Sequence, residues 1–130
     1  MREEVPMEFD GEAFVERFMN VFNDRDPEGI AAMMTDDAVL EVSFGKEPWG
    51  TRVLGSAAIR AFYVDMFARI PDAHWVELCH FVSPEHVVVE SMHTGTPRGG
   101  PPIKCMVCDV LTLRDGKIAA KRSYRKAQPI

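Results

Sequence analysis

Apolar side chains recur at helical spacing in the first part of this chain. Over residues 9–23, Phe14, Phe18, Val21 and Phe22 fall three or four positions apart, with Glu12, Glu16 and Arg17 on the opposite side, which predicts an amphipathic helix. Asp26-Pro27 restarts a helix, with Asp26 as N-cap and Pro27 in the first turn, where its missing N–H costs nothing. Ile30, Met33 and Met34 are expected on the buried side of this short helix, which residues 35–37 end before a strand over 38–44. Residues 45–55 (GKEPWGTRVLG) are rich in breakers, so a loop is expected there, with Trp49 placed to cover a pocket. A third helix follows, with Ser56 as its cap and Pro71 as its stop. Ile59, Phe62, Tyr63, Met66, Phe67 and Ile70 form its apolar stripe.

Beyond Pro71 the period changes from helix to strand. Strands are expected over 74–82 and 87–96, joined by a Ser83-Pro84-Glu85 turn, and a Pro/Gly-rich linker runs to residue 102. The last two runs, 103–113 and 118–125, flank Asp115-Gly116, a strong hairpin signal because glycine takes the positive φ that a tight turn requires. Two helices, a strand, a third helix and then four strands make an α+β fold, with helices on one face of a curved, mainly antiparallel sheet. Residues 1–8 are expected to be a loose leader and 9–130 a single domain.

Composition narrows the function. A chain of 130 residues can bury a core without metal or disulfides. A net charge of −5 argues against nucleic acid and anionic membrane surfaces. No apolar run approaches the roughly 18–20 residues of a membrane span, and the acidic N-terminus has no signal-peptide core. Three cysteines without framework spacing suggest a reducing cytoplasm. Cys105 and Cys108 would point to opposite faces of a strand, roughly 10 Å apart, so they are expected as small core residues rather than a redox or zinc pair. The four histidines, at 74, 80, 86 and 93, have no ligand spacing, and neither a nucleophile elbow nor a phosphate loop is present. No metal or cofactor is expected.

One residue contradicts its surroundings. Asp109 sits among Val107, Cys108, Val110 and Leu111, all of which ask to be buried. A carboxylate there is either paired, with Lys121 across the hairpin, or works on a ligand.

Four segments carry a family resemblance: 23–30 (NDRDPEGI), 35–41 (TDDAVLE), 55–63 (GSAAIRAFY) and 108–118 (CDVLTLRDGKI) running into Arg122-Ser123-Tyr124. Over about residues 9–126 the chain resembles the NTF2-like cone, including the ketosteroid isomerases and the SnoaL-like polyketide cyclases. The ketosteroid isomerase pattern implies a protonated Asp at Asp109 and a supporting Tyr at Tyr63. Its catalytic Tyr position falls on Phe18 and its base position on Val42, so steroid isomerisation by that mechanism is not expected. The resemblance also implies that Glu90, Met92 and Thr94 face the pocket, with Ser91 and His93 outside, and that Lys121, Ser123 and Arg125 point inward.

The function expected is cofactor-independent acid/base chemistry (isomerase, cyclase or dehydratase) on a hydrophobic, oxygenated small molecule. Asp109, Glu90, Lys121 and Tyr63 would act in a pocket lined by Phe18, Val42, Trp49, Phe62, Met66, Met92, Leu111 and Ser123. The alternative is a non-catalytic binding or dimerisation module. In either case a homodimer is expected through the outer sheet face, around His74, Val76, Leu78, His80, Ser91 and His93.

Overall fold

The computed structural model describes residues 8–127, and the leader expected over residues 1–8 lies, apart from Glu8, outside them. Helix α1 spans Gly11–Asn23, α2 spans Pro27–Ala32 and α3 spans Ser56–Arg69. The strands are β1 Met34–Glu47, β2 Gly50–Leu54, β3 His74–Val82, β4 His86–Gly95, β5 Ile103–Arg114 and β6 Lys117–Arg125.

Local chemistry accounts for most boundaries. The Asp10 carboxylate accepts from Ala13 N–H at 3.0 Å and starts α1, and Asp26 does the same for α2 through Gly29 N–H at 3.0 Å. Helix α1 turns Phe14, Val15, Phe18 and Phe22 inward, as its period requires. Met33 and Met34 are both buried, but Met33 caps α2 and Met34 begins β1. Ser56 is the first helical residue of α3 and makes no side-chain cap; Gly55, at φ 89°, occupies the cap position. Asp115 and Gly116 both take positive φ (51° and 75°), the geometry of a type I′ hairpin turn between β5 and β6.

The sheet is six-stranded, in the order β2-β1-β6-β5-β4-β3, antiparallel except between β1 and β6. Residues 45–55 are not the expected loop. Strand β1 runs through to Glu47, turns at Pro48-Trp49 and returns as β2. Gly50 permits this at φ 80°, because a Cβ there would lie 2.0 Å from the Val42 carbonyl oxygen. The buried core, including Phe18, Ile30, Leu40, Ile59, Val89, Leu111 and Ile118, lies between the three helices and the inner sheet face.

Two parities differ from expectation. In β4 it is Val87, Val89, Ser91 and His93 that are buried on the helix side, so Glu90, Met92 and Thr94 face out. In β3 the register slips between Glu77 and Cys79. This bulge reverses the alternation, and His80 turns toward α1, bonding Glu12 and Glu77, each at 2.9 Å, instead of joining the outer face. Of the cysteines, Cys105 is buried, whereas Cys79 and Cys108 are half-buried beside Glu90, the residue that lies in register with both on the outer face. Among the described residues no helix is long and apolar enough to cross a membrane.

Candidate functional site

The sheet's inner face and the helices enclose a cavity of about 260 Å³. Its walls are mainly apolar, with Phe18 and Phe22 from α1, Val42 from β1, Phe62 and Met66 from α3, and Trp75 from β3. The rings brace one another edge to face: Phe22 meets Tyr63 at 5.1 Å and 88°, and Trp75 at 5.7 Å and 79°.

Three polar residues of the hairpin enter this apolar wall. Register sets Asp109 of β5 opposite Ser123 of β6, and Lys121 lies two residues away on the same face. Lys121 Nζ donates to Ser123 Oγ at 2.7 Å, and Ser123 Oγ donates to Asp109 Oδ1 at 2.7 Å. Lys121 Nζ also lies 3.0 Å from Asp109 Oδ1, with each side chain only 7% exposed. The ammonium sits 5.2 Å from the centre of the Phe22 ring, a favourable cation–π contact. Burial alone would pull the Lys121 pKa down, but the Asp109 carboxylate outweighs it and holds the ammonium above the usual lysine range. Burial pushes the Tyr63 phenol up; Lys121 opposes this and Asp109 adds to it, so the hydroxyl remains protonated and can donate.

His93, expected on the outside, lines the cavity and is 5% exposed. Its ring stacks on Trp75 at 4.5 Å and 14°. Nδ1 lies 3.1 Å from the His74 carbonyl oxygen, so Nδ1 carries the proton and Nε2 holds the lone pair. No sealed-off side-chain nitrogen or oxygen among the described residues lacks a partner, so Nε2, which makes no hydrogen bond to those residues, keeps accessible surface on a ring that lines the cavity. Burial lowers the His93 pKa, against the pull of the His74 carbonyl and with help from the Arg125 charge, and so favours the neutral base.

The cavity thus gathers Asp109, Lys121, Ser123 and Tyr63 with Phe18, Val42, Phe62 and Met66, as expected from sequence, together with Arg125. Four expected members are elsewhere. Glu90 is on the outer face, where Cys79 Sγ donates to its Oε1 at 3.2 Å, and Met92 also points outward. Leu111 is wholly buried in the core behind the cavity. Trp49 stands at the β1–β2 turn beneath the Arg52 guanidinium (4.2 Å) and lines a neighbouring hollow. Sequence reasoning missed Ser91, His93 and Trp75. Alternation held no deciding signal for the two β4 residues, because Val87 and Val89 share the parity of Ser91 and His93 while Val88 and Met92 share that of Glu90. Among the described residues no group of three or more His, Cys, Asp or Glu side chains is placed to hold a metal.

A family model described as a SnoaL-like domain matches residues 15–121. No curated protein matches the chain. Solved structures share the fold. A protein described as a SnoaL-like polyketide cyclase from Jannaschia is 20% identical, with TM-score 0.76 over 97% of this chain and 92% of that one. TerC, crystallised with polyporic acid, is 23% identical, with TM-score 0.74 over 89% and 91%. An LEH-like epoxide hydrolase of M. tuberculosis is 21% identical, with TM-score 0.71 over 89% and 82%. At such identities the likeness concerns the fold alone.

Proposed function

Because this chain belongs to the SnoaL-like domain family, with a cavity inside its cone, we propose that it binds a hydrophobic, oxygenated small molecule there and moves a proton on it. The observation that carries this reading is an imidazole tied through Nδ1 to a backbone carbonyl, on the same apolar cavity as a lysine paired with a buried carboxylate. His93 Nε2 takes a proton from a carbon next to a carbonyl. The C–H electron pair moves into the carbonyl, and the developing oxyanion is stabilised by the Lys121 ammonium and the Tyr63 hydroxyl. Return of the proton at another carbon completes an isomerisation; loss of a β-hydroxyl completes a dehydration, and attack on a second carbonyl a cyclisation.

Asp109, through Ser123, keeps Lys121 charged and aimed. Holding an ammonium 3.0 Å away is a different part from the one that the ketosteroid isomerase pattern gives this position. The enzymes among the structural neighbours act within the same fold and so are compatible with this chemistry.

The test is proton exchange. Hydrophobic ketones that shift the melting temperature are incubated with the protein in heavy water and followed by NMR. Exchange at the carbon next to the carbonyl should be rapid with the native protein and lost in His93→Gln. If the native protein exchanges none of the ketones that it binds, the enzyme reading falls.

One observation favours the second reading, a binding or dimerisation module. Val76, Met92 and Met106 lie in register across β3, β4 and β5 on the outer face, and Val76 and Met106 are 54% and 36% exposed. With Leu78, Phe81 and Tyr124 they make an apolar surface of the kind a second copy would cover.

A further inference from the structure

The cavity wall holds three fixed cations, Arg69, Lys121 and Arg125, against one carboxylate, Asp109, in a chain whose net charge is −5. Two of the cations are committed. Arg69 Nε lies 2.9 Å from Asp65 Oδ2, and Lys121 lies 3.0 Å from Asp109. The exposed Arg125 side chain has no hydrogen bond or ion pair with any of the described residues.

Its place in the fold gives that free charge a use. The β1–β6 ladder ends at Glu41 and Arg122, whereas β5 and β6 stay paired as far as Val107 and Arg125. The end of β6 therefore diverges from β1. Val42, Ser43, Ser123 and Arg125 line both the cavity and a second hollow, which Trp49 and Tyr124 also line. Arg125 thus stands at the opening between the two, close enough to His93 for its charge to disfavour protonation of that ring.

We propose that the ligand of this cavity is an amphipathic acid, an apolar ring system bearing a carboxylate, and that Arg125 is the specificity residue that takes the carboxylate at the gap between β1 and β6. The planar guanidinium fork matches a carboxylate by two parallel N–H···O bonds. One unpaired cation suits a monoanion, since Arg69 is already tied to Asp65 and a dianionic phosphate would find no second free charge. The aromatic walls then take the ring body, with its reactive carbon toward His93 and Lys121. This deepens the reading above by naming the substrate class and rests on the same cavity.

The test is binding, not turnover. Calorimetric titration compares naphthoate with naphthamide, which match in size and differ in charge. The native protein should bind naphthoate about tenfold or more tightly at low salt, and the preference should shrink as salt screens the exposed arginine. Arg125→Gln should abolish the preference while leaving naphthamide affinity unchanged, and Arg125→Lys should retain part of it. In NMR titrations naphthoate, and not naphthamide, should raise the pH at which the His93 ring protonates, because the carboxylate cancels the arginine's charge. Naphthamide bound as tightly as naphthoate, a preference that survives Arg125→Gln, or no binding of either compound would each overturn the proposal. The proton-exchange reading can fail separately, if naphthoate is preferred and no ketone exchanges.

Discussion

The Asn23 carboxamide takes both backbone hydrogen-bonding groups of Trp75. Asn23 Nδ2 donates to the Trp75 carbonyl and Trp75 N–H donates to Asn23 Oδ1, each at 2.8 Å. Strand β3 is an edge of the sheet, so at this residue a side chain stands in for a neighbouring strand. Trp75 in turn stacks on His93. The end of α1 therefore fixes the ring that supports the proposed base. Asn23→Ala should cost about 1–3 kcal/mol in urea unfolding, the penalty for stranding part-buried backbone groups. It should also broaden the His93 ring resonances, and an unchanged unfolding midpoint would show that water replaces the amide at no cost.

Lys121 and Asp109 depend on each other. Lys121→Met leaves a buried carboxylate without its cation and should destabilise by about 3–5 kcal/mol. Asp109→Leu combined with Lys121→Met should recover most of that loss, because an apolar pair fills the site without a stranded charge. Denaturant titration of the single and double variants measures both. A double variant as unstable as the single one would mean that packing, and not charge, sets the cost.

Two histidines should make stability depend on pH in opposite senses. His80 is raised above 6.5 by its hydrogen bond to Glu12 and then that to Glu77, so its contribution is complete below pH 6.5 and disappears as pH rises through its folded value. His93 is lowered from 6.5, chiefly by burial, so below pH 6.5 the unfolded chain takes up a proton that the native ring refuses, and stability falls as pH drops toward the folded value. The melting-temperature deficit of His80→Gln should therefore shrink from pH 5 to pH 8. His93→Gln should flatten the acid limb of the native profile. Parallel profiles for all three proteins would contradict both assignments.

The same lowering sets the rate profile. Exchange catalysed by His93 should rise with pH and reach its plateau with a midpoint below 6.5, the ordinary histidine value. His93→Gln should lower the rate by about 10²–10⁴, the usual worth of a positioned base, without weakening ketone binding. A midpoint above 6.5 would point to another group.

The outer face makes a separate prediction. Sedimentation at micromolar concentration should give a dimer, and Val76→Lys should give a folded monomer by placing a charge among Val76, Met92 and Met106. A native monomer would leave this apolar face without the proposed partner.

Periodicity and local chemistry were enough to determine the helices, the terminal hairpin and the α+β class, because each depends on contacts only a few residues apart. Asp26 caps its own helix, Asp115-Gly116 makes its own turn, and the stripe on α3 follows from 3.6 residues per turn. Asp109 was legible as a carboxylate among apolar neighbours, but the two-residue turn alone would set it opposite Arg122; a bulge between the Leu113–Ile118 and Thr112–Ala120 pairs shifts the register by one and brings Ser123 and Lys121 onto its face. Tertiary structure alone decided the rest. β4 carries apolar residues on both faces, Val87 and Val89 inside and Val88 and Met92 outside, so alternation could not say whether Glu90 or His93 enters the cavity. The bulge that turns His80 toward α1, and the hydrogen bonds that Asn23 makes to Trp75, join residues far apart in sequence. Such pairings depend on how the helices lie across the sheet, and no local pattern records that.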